Sequence, residues 1–160
     1  MAVDMFLKLD GIKGESRDDK HKDEIDVLAW SWGMSQTGSM AQGGGGGTGK
    51  VNVQDLSVTK FIDKSSPTLM LKCAQGEHIK KGTLVVRKAG GNPLEYVKIE
   101  LDDIVIASVS TGGSGGEERL TENVSLNFAK VKVTYTPQKD DGSKDSEVEM
   151  GWDIKAHKKV

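Results

Sequence analysis

The residues that most invite a chemical role are the glycines and lysine of GGGGGTGK. Gly44, Gly49 and Lys50 satisfy G-x-x-x-x-G-K, the spacing of a loop whose backbone N–H groups cradle phosphates. The next residue is Val51, where that chemistry needs a Ser or Thr hydroxyl for magnesium. The motif also needs a strand before it and a helix after it, and here strand-like sequence follows. A glycine-rich surface loop is the better reading. Gly112, Gly113, Gly115 and Gly116 lack the same strand–helix frame and suit an interface or hairpin loop.

Other reactive residue types are scattered. His21, His78 and His157 lie far apart in charged segments without metal-ligand spacing, and read as surface residues. The one cysteine, Cys73, excludes an internal disulfide and a multi-cysteine metal site. It falls at helical spacing with Leu69 and Met70, as a small apolar packing residue would. Neighbouring carboxylates such as Asp102-Asp103 and Glu117-Glu118 point to opposite faces of a strand and make poor catalytic pairs. Trp30 and Trp32 could offer a stacking platform for a ligand, but an aromatic stripe is more often core. No cofactor or metal is expected, and no catalytic residues are assigned.

The elements that position these residues are mostly strands. Val3–Leu9 alternates with period two, as do Ile25–Met34, Thr83–Lys88, Leu94–Leu101, Ile104–Val109 and Val148–Ile154. In Ile25–Met34, Leu28, Trp30, Trp32 and Met34 share a bulky face, opposite the milder Val27, Ala29, Ser31 and Gly33. The phase slips within Val51–Ile62, and again between Phe128 and Val131, as a β-bulge would make it. Ser66-Pro67 followed by TLMLKCAQ and Gly76 predicts one short helix, with Ser66 as cap, Pro67 in the first turn and Gly76 left-handed at the end. The fold expected from these elements is mainly β, a barrel or sandwich with one helix at an end or side.

Bulk properties bound the class. The chain has 160 residues, 36 % apolar and 29 % charged, with 20 glycines and 3 prolines. That suits one domain spanning 1–160, with a sizeable core and many tight turns. The formal net charge of −2 offers no electrostatic reason to expect nucleic acid or an anionic membrane. The start MAVDMFLKLDG lacks the basic and apolar regions of a secretory signal, and no apolar run approaches ~20 residues. A chain made in the cytoplasm is expected, one that leaves the cell only through a machine that ignores signal peptides.

Three blocks carry a family resemblance. Gly14–Gly33 (GESRDDKHKDEIDVLAWSWG), Lys64–Gly76 (KSSPTLMLKCAQG) and Ser110–Tyr135 (STGGSGGEERLTENVSLNFAKVKVTY) resemble the haemolysin-coregulated protein family, the tube proteins of bacterial type VI secretion. The likeness spans essentially the whole chain, including the terminal EMGWDIK. It implies a β-barrel of two antiparallel sheets with one short side helix. It also implies a homohexameric ring that stacks into a hollow tube, and no enzymatic activity. The implied partners are further copies of the chain, small effector proteins in the lumen, a spike and a contractile sheath. The protein would be made in the bacterial cytoplasm and secreted to the medium or a target cell. A ligand- or carbohydrate-binding β-sandwich using Trp30 and Trp32 is the alternative.

Size makes the cargo role geometrically reasonable. A compact 160-residue domain has a radius of gyration of ~15 Å, hence a diameter of roughly 35–40 Å. Six equal circles in a ring enclose a hole as wide as one of them, so the bore would also be roughly 35–40 Å. Ala29 and Ser31 are the candidates for the lumen wall, because a wall that must release cargo should not be strongly apolar. Met40, Gln42 and the run Gly43, Gly44, Gly45, Gly46 and Gly47 are the candidates for a ring-stacking loop. Thr111, Gly112, Gly113, Ser114 and Gly115 are the candidates for an interface loop. The acidic stretch Asp140–Glu149 and the basic tail Lys155–Lys159 read chiefly as solvated surface.

Overall fold

The computed structural model describes residues 3–38, 49–90 and 93–160. Its elements in chain order are β1 (Val3–Leu9), β2 (Ile25–Ser31), β3 (Met34–Ser35), β4 (Asn52–Val53), β5 (Leu56–Phe61), α1 (Ser66–Gln75), β6 (Ile79–Lys88), β7 (Glu95–Thr111), β8 (Thr121–Tyr135), β9 (Val148–Asp153) and β10 (Lys158–Lys159). The order β8-β5-β2-β1-β6-β7 closes on itself, because β7 also pairs with β8. Closure pairs the six barrel strands on both sides over much of their length, while β9 and β10 extend from β8 and keep an open edge. Every strand pairing among the described residues is antiparallel. The expected mainly β barrel with one short helix is what forms.

β8 joins the barrel to a second sheet region. Its first half pairs with β5, from Thr121–Phe61 to Leu126–Leu56. Its second half pairs with β9, from Lys130–Asp153 to Tyr135–Val148. Inside the barrel, Leu7, Leu9, Ile25, Leu56, Leu84 and Ile99 are buried together. Their alternation with exposed residues is the physical origin of the period-two pattern.

Neither of the two phase slips expected as β-bulges is one, and a third phase change, in β2, was not expected. In Val51–Ile62 the slip is a break between strands: β4 pairs with β3 in a separate two-stranded sheet, while β5 belongs to the barrel. In β2 it is an irregularity between Val27 and Ala29. Ile25 and Val27 are buried before it, and Trp30 packs on the core after it. Leu28 therefore does not share the tryptophans' face and is 41 % exposed. Met34 leaves that face too, because β2 ends at Ser31 and Met34 starts the exposed β3.

In β8 the slip after Phe128 is matched by one in β7, where Leu101 and Ile104 are both buried. The pairs Asp102–Lys130 and Ile104–Phe128 keep one register across it. Asp103 takes a left-handed backbone at φ 56°, which lets the strand change phase without an inserted residue on one side only. Leu94–Leu101 and Ile104–Val109, expected as two strands, are thus parts of one strand, β7.

The helix forms where Pro67 and Gly76 place it. Gly76 adopts φ 62°, and the closing N–H groups of Gly76 and Glu77 donate to Cys73 and Lys72 carbonyls. The cap position is Ser65 rather than Ser66, and it makes no side-chain capping bond. Leu69 is buried and Cys73 packs against the core, whereas Met70 is exposed, contrary to the helical-face expectation.

Candidate functional site

The bulge in β2 decides where Ala29 and Ser31 point. With Trp30 turned to the core, its neighbours Ala29 and Ser31 face outward, and both are exposed. Residues opposite one another on paired strands share a face. The register therefore extends each of these two positions into a row across four strands. Ala29 is opposite Thr59, which is opposite Asn123, which is opposite Ser110. Ser31 is opposite Ser57, which is opposite Ser125, which is opposite Ser108. None of these eight side chains is ionisable, in a chain of which 29 % is charged. Serine is also a modest strand former, so packing preference does not explain a four-serine ladder. The Thr59 hydroxyl donates to Asn123 Oδ1 at 2.7 Å, which fixes the middle of the first row.

The other loop candidates stand elsewhere. Thr111 ends β7, and Gly112, Gly113, Ser114 and Gly115 form the exposed tip of the β7–β8 hairpin. The Glu117 N–H donates to the Ser114 carbonyl at 3.1 Å, and the Ile62 N–H ties the returning chain to Leu120 at 2.9 Å. Met40, Gln42 and Gly43–Gly47 lie outside the described residues. Among the described residues on either side, Met34 of β3 pairs with Val53 of β4 and the Gly49 N–H donates to the Thr37 carbonyl at 3.4 Å. The residues after Lys50 form β4 and not the helix a phosphate loop requires.

Two buried polar clusters escaped the sequence reading. Lys60 and Glu122 face into the barrel with fully buried side chains and form an ion pair. Lys60 Nζ also reaches Asp63 Oδ1 at 3.0 Å, the Phe61 carbonyl at 2.9 Å and Ser66 Oγ at 3.2 Å. The Ser66 hydroxyl donates to Glu122 Oε1 and accepts from the Asp63 N–H. A serine hydroxyl beside a lysine amine resembles a nucleophile and its base, yet a base must be unprotonated and reachable by substrate. Here Lys60 is held between two carboxylates and sealed from solvent. The cluster instead ties the start of α1 to β5 and β8. A signal for it existed: Lys60 is in phase with Leu56 and Val58, and Glu122 with Val124 and Leu126.

The second cluster contains His21, expected on the surface but 7 % exposed. The charged loop 14–24 folds back over the barrel and brings the ring onto Phe6, with centroids 4.3 Å apart and planes 9° from parallel. Arg87 sits 5.0 Å from the Phe6 ring, and its guanidinium donates to Asp18 at 2.7 and 2.9 Å and to Asp4 at 3.1 Å. The hydrogen bonds from Arg87 hold the Asp18 carboxyl down at about 2, against the opposing effect of burial. His78 and His157 are exposed as expected. The adjacent Asp102 and Asp103 have different partners, Lys81 at 3.5 Å and His78 Nδ1 at 2.6 Å.

The barrel thus seals the Lys60–Glu122 cluster inside, carries the His21–Arg87 cluster against its outer side, and presents two uncharged rows on the outer face of β2, β5, β8 and β7. The chain belongs to the Hcp family of type VI secretion: residues 6–135 match the family described as "Type VI secretion system effector, Hcp". Within that family it is a structural tube protein of the secretion system. It is 64% identical over 157 residues to "Protein hcp1" of Pseudomonas aeruginosa, with 97% of each chain covered. It is 43% identical to the crystal structure of Hcp1 from Salmonella typhimurium, with a TM-score of 0.81 and 100% of both chains covered. A further solved structure, described as a type six secretion system protein, is 31% identical with a TM-score of 0.93, covering 98% of this chain and 99% of that one. No helix among the described residues is long and apolar enough to cross a membrane.

Proposed function

We propose that six copies of this chain close into a ring, that rings stack into a hollow tube, and that the outer face of β2, β5, β8 and β7 lines the lumen and carries effector proteins. The observation that carries the cargo reading is the pair of uncharged rows through Ala29 and Ser31. A lumen that must hold and then release many small proteins needs a surface that is weakly adhesive everywhere. Large apolar patches would bind too well, and clustered charge would select by sign and salt. Small hydroxyl and amide groups avoid both.

A head-to-tail ring needs two different surfaces that meet. Among the described residues, β1 pairs with β2 only at Phe6–Asp26 and Leu7–Ile25, so Leu28–Ser31 has no partner on that side. β10 pairs with β9 only at Asp153 and Trp152, so Val148–Met150 is unpartnered on its outer side. Two such backbone edges, with the Thr111–Gly115 tip, supply material for a heterologous interface. Contraction of a sheath behind a spike would then drive the tube, and the chain itself would perform no turnover. The ligand-binding alternative loses its platform, because Trp30 and Trp32 pack against the core and the Trp32 indole N–H donates to the Gln54 carbonyl at 2.9 Å.

Substituting Ser31→Gln and, separately, Ser125→Gln tests the lumen wall. Native mass spectrometry should still give a mass of six chains, while co-purification of a small effector falls severalfold for both variants. Unchanged recovery in both removes the lumen assignment. A monomeric wild-type chain under the same conditions removes the ring.

A further inference from the structure

The imidazole of His21 has a carboxylate on each nitrogen. Nδ1 is 2.9 Å from Glu24 Oε1, and Nε2 is 2.8 Å from Glu95 Oε2. A neutral imidazole has one N–H and one lone pair, and can satisfy only one of these contacts. The imidazolium has two N–H groups and satisfies both with charge-assisted bonds. The charged groups around the ring are Glu24 of the loop and Glu95 of β7, which contact it directly, and Asp18 of the loop and Asp4 of β1, which are paired with Arg87 of β6. Lys20 and Lys22 flank His21 in the loop itself.

The ring is also the point where the loop is attached. Glu24 is the residue before β2, Glu95 is the first residue of β7, and Phe6 lies in β1. His21 therefore links the β1–β2 loop to two strands, β1 and β7, and to the loop's own last residue before β2 through one side chain. Within the loop, the Gly14 N–H donates to the Asp23 carbonyl at 2.8 Å, the Ser16 N–H to the Glu24 carbonyl at 3.0 Å, the Asp23 N–H to the Ser16 carbonyl at 2.9 Å, and the His21 and Glu24 N–H groups close weaker turns at 3.2 Å. Outside it, Glu15 Oε2 accepts from the Lys64 N–H at 2.7 Å, an exposed bond. Gly14 allows this close pass, because a Cβ there would lie 2.5 Å from the Glu24 carbonyl oxygen. Asp23 is left-handed at φ 64°, so the turn is held in a conformation a free chain rarely adopts.

We propose that His21 is a protonation-dependent latch that fixes the loop 14–24 and the entry to β2 when the imidazole carries two protons and loosens them when it carries one. The sign follows from the bonds. The doubly protonated ring is the bridging form, so the latch is closed on the acid side of the ring's titration and opens as pH rises through it. Opening leaves one carboxylate facing a lone pair. The Arg87–Asp18 pair and the Glu15–Lys64 bond still hold the loop, so the change is a local loosening and not unfolding. Any effect on cargo through Ala29 and Ser31 rests on the lumen reading above; the latch itself does not.

The test reads the loop and the ring, not the tube. Nitrogen-15 NMR of the imidazole reports its protonation from pH 5.5 to 8.5, and hydrogen exchange reports the amides of Gly14, Ser16 and Asp23 after correction for intrinsic exchange. Loss of one charge-assisted bond should lower their protection by about tenfold or more across the ring's titration, while amides of β8 stay unchanged. In Glu95→Gln the side-chain amide can donate to the free lone pair, so the response should shrink to roughly threefold or less. His21→Gln should remove it. Loop protection that stays constant while the ring titrates overturns the latch. A ring that holds one protonation state throughout overturns it too, and these wild-type readings decide the matter even where a variant fails to fold.

Discussion

Replacing Glu122 with leucine strands the Lys60 ammonium inside the barrel. Both side chains are fully buried, so water cannot take over from the lost carboxylate. Removing one partner of a buried ion pair costs about 3–5 kcal/mol. Asp63 Oδ1 remains 3.0 Å from Lys60 Nζ and keeps part of the interaction, which puts the expected loss near the lower end, about 3 kcal/mol. For a chain of this size each kcal/mol shifts the melting temperature by about 2–4 °C, so a fall of roughly 6–12 °C is expected.

The double variant Lys60→Met with Glu122→Leu separates pairing from burial. It removes both charges of the pair and keeps most of the volume, and such exchanges are often neutral or stabilising. Asp63 loses its cation but keeps the Ser65 N–H and hydroxyl as donors, so the double variant should still be less damaged than Glu122→Leu alone. Glu122 Oε2 already lacks a hydrogen-bond partner, so the native pair is imperfectly satisfied and has little net stability to lose. Thermal unfolding should be followed at one fixed protein concentration, because any self-association adds stability by mass action. A drop under about 2 °C for Glu122→Leu, or a double variant as damaged as the sum of two singles, would refute the reasoning.

Two further outcomes are expected. Asp18, held at about 2 by Arg87 against an ordinary 3.8, contributes stability that is fully present above about 4 and is lost as pH falls through about 2. Asp18→Asn should flatten that part of a denaturant-based stability profile, and an unchanged acid limb would count against the Arg87 pairing. Deleting Gly43–Gly47 should leave six-chain rings intact in native mass spectrometry but reduce ring-on-ring stacks in electron micrographs; normal stacks would remove the stacking role of that loop.

Much of the secondary structure was legible locally. Pro67 and Gly76 bracket a helix for reasons confined to a few residues, namely a fixed φ and freedom at positive φ. Alternation in Val3–Leu9 marked a strand because successive side chains must point to opposite sides. The mild face of β2 was legible only in part: Ala29 and Ser31 are exposed, but Val27, expected beside them, is buried because the strand changes phase between Val27 and Ala29. The extension of that face was not legible, because Ser57, Ser108 and Ser125 become its neighbours only through pairing between distant segments.

Charged residues show the boundary most clearly. Lys60 and Glu122 are in phase with apolar neighbours, but charge is normally kept in water, so the pattern alone argues for exposure. Only pairing of β5 with β8 brings the two opposite charges face to face and makes burial tolerable. His21 carries no periodic signal at all, and its burial depends on a loop folding onto Phe6 and Glu95 from elsewhere in the chain.

The amino-acid sequence by itself determined a β-rich chain, its helix and its family likeness, because these depend on local backbone geometry and on blocks of residues in order. Tertiary structure alone decided the closure of β7 onto β8, the phase changes at Leu28 and Asp103, and the continuation of Ser31 into a four-strand hydroxyl row. Those are choices of partner between distant segments, settled by which pairing buries the most apolar surface while leaving each buried charge a counterpart.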